Sequence, residues 1–585
     1  MRLSRRALAI VGVILICAAL RPSPVAAAWP TSANVNLALC TAANNQTSPG
    51  VVSDDVGGAY FAWVDQRSSS TGADIYVSHV LASGVIAPGI PAGGLAICTA
   101  LGTQFNCRIV GDGLGGAYVS WQDNRSGNAD VYLSHIVAPG QVDPGWPQNG
   151  LAVCTAANGQ YIPEIAADGA GGVFVTWYDL RDGADYDIYA QHVKADGAID
   201  PLWPVSGLPI CIATGNQQPA QIAADGVGGA VVVWSDYRSG TEADVYAQRI
   251  LVSGVVDPSW PVNGLALCTA SGSQYGSALV GDGSGGAVVA WVDGRGGVTT
   301  DVYGTHVLAI GAIEAGWPVN GRPLCTAPGN QTAVTVGRDA SGHAIVAWMD
   351  ARDGVYTKIY AQQAVGPDGG KWIVDGVRVS SRVGNQRNPM LVADGRGGAL
   401  IVWEDEGSGA SDIYAQHILE SGDPDSGWTT AGMPVCSAAY QQQQPRLMLE
   451  GSGGAVVVWQ DTRSGSVLNT DIYTQRIQAT GQLGGVVVSV PRTGPPAVLS
   501  EAVWPNPWTD GPLSVRFSLE AESAVDIEML DVAGRRVASR TLGTISAGQH
   551  VASPCDRPDG LEAGLYFVRV IAGTVMRATR VVIVN

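Results

Sequence analysis

A chain of 585 residues with a formal charge of −18 is too long for one ordinary hydrophobic core, which leaves several domains or one repeat array. Its only lysines are Lys194, Lys358 and Lys371, so it lacks the clustered cations that nucleic acid or an anionic membrane surface requires. Solubility is the simplest reading of the acidity.

The first elements are an address. Arg2, Arg5 and Arg6 precede an apolar run from Ala7 to Leu20, and Val25 to Ala28 offer a small-residue cleavage site before Trp29. Residues 1–28 therefore read as a signal peptide on the general secretory route, preferred over the twin-arginine route that Ser4, Arg5 and Arg6 faintly evoke. The apolar run is too short for a permanent span. Cleavage would remove four arginines and take the charge from −18 to −18 − 4 = −22.

Next comes a unit repeated eight times, anchored on Trp63, Trp121, Trp177, Trp234, Trp291, Trp348, Trp403 and Trp459 at steps of 55 to 58 residues. That period is a supersecondary unit. Each copy opens on an apolar strand ending in Cys, as in LALC, with Ser380 standing for Cys in the seventh copy. A Gln lies 17 residues before every Trp; it is read as satisfying backbone groups between units, with a ring of amides around an opening as the functional alternative. Asp-Gly-x-Gly-Gly then marks a tight turn into a buried strand such as AVVVW. W-x-D-x-R opens a second hairpin, which closes on Asp-Ile/Val-Tyr; Gly407 replaces the Arg in copy seven and Lys358 replaces the closing Asp in copy six.

Four short strands per unit, apolar on both faces, cannot form a core alone, and stacking eight around an axis buries them. The expectation is all-β: an eight-bladed β-propeller of four-stranded blades over 29–490. Either WPTSANVNLALC at the start or Gly481–Val490 at the end would complete the last blade, so the ends of the array should meet. The motif D-G-x-G-G-x-x-V-x-W-x-D-x-R-x-G resembles loosely related secreted bacterial propellers and differs from WD-repeat, kelch and sialidase patterns.

Residues 491–497 read as a linker, and 498–585 as a small β-sandwich with strands near 515–519, 525–530, 566–570 and 580–584. Pro505-Asn506-Pro507, Asp531 to Arg535, Ser546 to His550, Ala563 to Arg569 and Thr579 to Val584 resemble the sorting domain of type IX secretion, kin of the immunoglobulin-like domain of flagellar hook-capping proteins. The resemblance implies that outer-membrane secretion machinery is a partner and that the product is secreted or displayed on the cell surface.

No catalytic constellation stands out. Five of the seven histidines, His79, His135, His192, His306 and His417, share one repeat position, which fits packing better than catalysis. Paired aspartates of the W-x-D-x-R hairpin would suit calcium, but the intervening Arg points to a structural pairing, so no cofactor and no metal site are expected. An active or binding site should show as a break in the repeat, which nominates Lys358, Trp372, Glu404, Asp405, Glu406 and Tyr440 as ligand-binding. Cys98 and Cys107 flank one hairpin and are expected to form a disulfide. The functional expectation is a non-catalytic exported scaffold binding a glycan or protein; the alternative is an extracellular polysaccharide hydrolase or lyase with its site on the propeller axis.

Overall fold

The computed structural model describes residues 29–485 and 498–583, apart from 69–71, 339–342, 366–368, 371, 452, 466–468, 505–512, 520–522, 532–534, 546–547, 554–563 and 573–574. The expected signal segment 1–28, the linker 491–497 and parts of the sorting motif, including 505–507, lie outside the described residues.

Among the described residues every regular element is a strand, and the array forms eight antiparallel sheets. A blade takes its innermost strand from the Gln segment, then the Trp strand, the Tyr strand and, outermost, the Cys strand, as in Gln46–Ser53, Ala59–Asp65, Asp74–Val80 and Leu95–Cys98. The sequence unit and the blade are thus out of phase by one strand. The Cys strand that opens each sequence copy belongs to the blade before it, because the connector folds back along the Tyr strand (Ile75↔Cys98).

This phase decides the seam. The first strand, Leu37–Cys40, pairs with Asp471–Ile477 and becomes the fourth strand of blade eight. The N-terminal candidate segment thus supplies the closing strand; among the described residues of the other, Leu483 makes an isolated bridge to Ile477. Neighbouring Gln strands touch around the whole ring, blade eight against blade one included, so the wheel is closed.

Strand register gives each blade two ends. Gln46, Asp65 and Asp74 are aligned at one end, the hairpin face, and Ser53, Ala59 and Val80 at the other, the turn face. The anchor tryptophans are fully buried between blades. Seven of them, all but Trp459, meet a connector glycine. Gly264 has φ +97° and its missing Cβ would stand 2.6 Å from Trp234 Cη2, so both the backbone and the contact demand glycine.

The C-terminal unit has more strands than expected. Val498–Trp504, Ser514–Leu519 and Gly548–Ala552 form one sheet; Arg536–Ile545, Ser523–Asp531, Gly564–Ala572 and Val575–Ile583 form another. Val515 and Phe517 of the first share one core with Ile527, Val568 and Val581 of the second, which makes a two-sheet sandwich.

Candidate functional site

Most polar residues of the repeat are structural, and blade four shows how. Asp236, fully buried, accepts from Trp234 Nε1 at 2.7 Å and from Arg238 Nε and Nη2 at 2.8 and 2.6 Å. Arg238 Nη2 also donates to Asn263 O at 2.7 Å and lies 3.2 Å from Cys211 Sγ, while its guanidinium stacks 3.9 Å from the Tyr246 ring centre. One guanidinium therefore joins three strands and a connector. The invariant Asp of W-x-D-x-R is consumed by this clamp and has no lone pairs to spare for a metal.

Blade seven lacks the clamp arginine. Arg382, from the segment leading into its Gln strand, fills the gap: Nε lies 3.0 Å from Asp405 Oδ1 and the guanidinium 4.1 Å from the Tyr414 ring. Arg382→Ala should destabilise the protein by about 3 kcal/mol, since it leaves the buried Asp405 charge without its cation. Chemical denaturation checks this, and an unchanged midpoint would remove the clamp as a stabilising unit.

On the turn face, the shared histidines are latches. His417 bridges Asp394 (Nε2 to Oδ2, 2.9 Å) and Asp425 (Nδ1 to Oδ2, 2.8 Å), and His306 bridges Asp282 and Glu314 in the same way. Arg249 replaces the histidine in blade four and bridges Asp225 and Asp257. Burial opposes protonation of His306 and His417, but their two carboxylates outweigh it and raise both pKa values. A raised folded pKa gives stability that is complete below the unfolded value of about 6.5 and is lost as pH climbs through the folded value. The His306→Gln/His417→Gln double variant should therefore show a flatter fall in unfolding midpoint between pH 6 and pH 8 than the parent; parallel profiles would refute the latch.

The invariant Gln satisfies backbone groups where one blade leads into the next, and in blade seven Gln386 Oε1 accepts from Ile359 N of blade six. Gln217 is fully buried and its Nε2 donates to Ala213 O and Gly215 O, holding the loop that precedes its own strand. The expected disulfide is absent: Cys98 and Cys107 are buried free thiols. Cys98 sits on the outer strand of blade one beside Asp123 and Arg125, whereas Cys107, on the inner strand of blade two, donates to Ser48 O.

The six nominated residues do not form one site. Trp372 lies in a turn-face connector, buried, its Nε1 donating to Glu420 O at 2.9 Å, as Trp260 does to Ala309 O. The others are at the hairpin face. Lys358 is 3 % exposed and its ammonium donates to Arg382 O and Gly384 O. Asp405 is in the clamp, Glu406 pairs with Arg387 at 3.0 Å, and Tyr440 is exposed on the loop before Gln442.

Glu404 differs from these. It is 4 % exposed, accepts from Asn388 Nδ2 at 2.9 Å and from Gln444 N at 2.7 Å, and joins blade seven to blade eight beside the axis. Gln122 does the same work between blades two and three, accepting from Asn106 Nδ2 and Ile162 N. Burial raises the Glu404 pKa although those two hydrogen bonds pull it down. The residues held here, Asn106, Ile162, Asn388 and Gln444, have φ of 54°, 46°, 50° and 53°, a left-handed backbone that is strained for β-branched Ile162.

Four residues further along each Gln strand than that strand's first residue, the repeat varies freely: Gly50, Arg108, Glu164, Gln221, Ala278, Thr335, Met390 and Arg446. Here the structure assembles a charged axial group that the breaks in the repeat did not reveal. Arg108 Nη2 reaches Glu164 Oε1 at 2.8 Å across the junction of blades two and three. Arg446, on blade eight, keeps its side chain open to solvent; the surrounding protein and then the Arg108 charge lower its pKa, against the opposing pull of Glu164 and Glu404. Because the Gln strands are the innermost ones and touch around the ring, Arg108, Glu164 and Arg446 all stand beside the axis. Between the two arginines blade one carries only Gly50, which leaves room.

A closed eight-bladed propeller with buried clamps and an axial charge cluster is thus followed by a two-sheet module. Residues 502–585 match the family described as the secretion system C-terminal sorting domain. The protein accordingly carries the address of the type IX system and reaches the cell surface or the extracellular space. Among solved structures the chain is similar to a polysaccharide lyase of the PL25 ulvan lyase family (12 % identity, 65 % of this chain and 93 % of that chain, TM-score 0.37). It is also similar to an α-L-arabinanase of Penicillium chrysogenum (13 %, 55 % and 94 %, TM-score 0.33) and an endo-arabinase of Bacteroides thetaiotaomicron (11 %, 53 % and 92 %, TM-score 0.27). No curated protein sequence matches the chain.

Proposed function

We propose that the exported propeller binds an acidic polysaccharide at its axis, with Arg446 and Arg108 taking the carboxylate or sulfate groups of the chain. One observation carries this reading. In a protein of strongly negative net charge, two arginines stand on innermost strands on either side of blade one; Arg108 pairs with Glu164, whereas among the described residues Arg446 donates to Pro445 O of its own strand and pairs with no carboxylate. An anion shared between them would relieve the repulsion and form charge-assisted hydrogen bonds.

Glu404 favours a second reading, cleavage of the bound chain. Burial keeps a proton on this carboxyl at higher pH than usual, and it stands within electrostatic reach of Arg446. The mature protein should be tested for retention on uronate- or sulfate-bearing polysaccharides against neutral ones, reading new reducing ends and unsaturated products in the same samples. Equal retention on acidic and neutral chains would overturn the axial site. New chain ends that vanish in Glu404→Gln would establish cleavage.

A further inference from the structure

In blade three the hairpin between the Trp and Tyr strands departs from its sisters in charge. The position five residues after the anchor Trp is Ser in five copies (Ser68, Ser126, Ser239, Ser408 and Ser464), Gly296 in one and Asp in two, Asp182 and Asp353. The serine has a visible task. Ser126 Oγ donates to Asp130 Oδ2 at 2.6 Å and Ser408 Oγ to Asp412 Oδ2 at 2.8 Å, and Ser239 likewise serves Asp244. Each satisfies the buried aspartate that opens the Tyr strand.

Where Asp353 takes the serine position, the buried aspartate itself has become Lys358, and an ammonium balances the new carboxylate. Blade three has the first change without the second. Asp182 faces Asp187, and Asp185 joins them, so that one oxygen from each lies within 4.8 Å of the others. Asp187 is 6 % exposed and, among the described residues, its carboxylate accepts no hydrogen bond. Burial, and then the charges of Asp182 and Asp185, push its pKa up to about 7. A largely buried carboxylate with no donor, aimed at two others, is an arrangement that favours a positive partner.

We propose that Asp182, Asp185 and Asp187 bind a calcium ion, which does for blade three what the serine hydroxyl does in blades two, four and seven and what Lys358 does in blade six. Three carboxylates on a short loop with open solvent on one side suit a hard cation that accepts irregular oxygen shells and water, and calcium abundant outside the cell can fill a modest site. Magnesium demands a tighter octahedron. Two ligands are already oriented: Asp185 Oδ2 accepts from Gly215 N at 2.5 Å, and Asp182 Oδ1 from Ala184 N at 3.0 Å. The ion would also fix Tyr186, which lies between two of the ligands in sequence and packs edge-on against Tyr161 and Tyr178 with ring centres 5.7 and 5.2 Å away. The site is independent of the axial one, and its ligand is a cation, not a sugar.

The test compares the full mature protein with Asp182→Ser, which installs the sister blades' residue and is expected to fold, since it returns a hydroxyl donor to Asp187. The parent, stripped with a chelator, should gain a few degrees in Tm on adding calcium chloride, and should show tyrosine-sensitised terbium luminescence that calcium displaces. Asp182→Ser should have the higher metal-free Tm, with the calcium response and the terbium signal both lost; Asp353→Ser in blade six should keep both. No calcium-dependent Tm shift and no terbium emission from the parent would overturn the proposal, as would an undiminished response in Asp182→Ser.

Discussion

A chain that begins at Thr41 instead of Trp29 will lose most of its resistance to heat and to protease. The missing dozen residues carry the fourth strand of blade eight and a strap over the seam. Trp29, Leu39 and Cys40 are each about 1 % exposed, and burying three such side chains contributes roughly 6 kcal/mol, comparable with the whole net stability of an ordinary domain. Asn36 adds polar closure: its Nδ2 donates to Val435 O at 3.1 Å, and its Oδ1 receives Arg463 Nη2 at 2.8 Å, so the clamp of blade eight is completed by the first strand of the chain. Without that strand, Asp471–Ile477 becomes a bare edge. Thermal unfolding and limited proteolysis of the two forms check the expectation, and a peptide of residues 29–41 added in trans should restore part of the loss. Equal Tm values and equal digestion patterns would show that the wheel does not depend on its first strand.

The repeat made the fold readable because every blade solves the same burial problem with the same residues: a tryptophan whose N–H needs an acceptor, an aspartate that supplies it, and an arginine that neutralises the aspartate. The phase of the blade was less accessible. Nothing local distinguishes a Cys strand that begins its own sheet from one that ends the sheet before; only the connector's return along the Tyr strand decides it. Breaks in the pattern proved ambiguous for a physical reason. Lys358 looked like a functional departure and Gly407 broke the W-x-D-x-R pattern, yet each is matched by a second change, Asp353 in one case and Arg382 in the other, that restores the charge balance. The informative departures are those left unmatched, Asp182 beside Asp187 and Arg446 beside Arg108. The first could have been found by aligning the copies on the position after the clamp. The second could not, because Arg108 and Arg446 are separated by six repeats in sequence and come to lie on either side of blade one only when the ring closes.

Arg446→Ala should weaken retention on an acidic polysaccharide about 10- to 100-fold, the loss expected when a charged hydrogen bond worth roughly 1.5–3 kcal/mol is removed. It should leave stability unchanged or slightly higher. Among the described residues the side chain makes one hydrogen bond, to a carbonyl of its own strand, and it feels the like charge of Arg108, so folding gains little from it. This separates it from the clamp arginines. Arg238→Ala strips the cation from a fully buried aspartate and should lower stability by about 3 kcal/mol, while any change in retention should follow the loss of fold. Raising the salt should weaken the parent's retention and narrow its advantage over Arg446→Ala, because screening removes the attraction that the arginine provides. Binding assays on both variants at two ionic strengths, with unfolding midpoints measured in parallel, decide the matter. If Arg446→Ala binds as the parent does at low salt, the anion is held somewhere other than the axis.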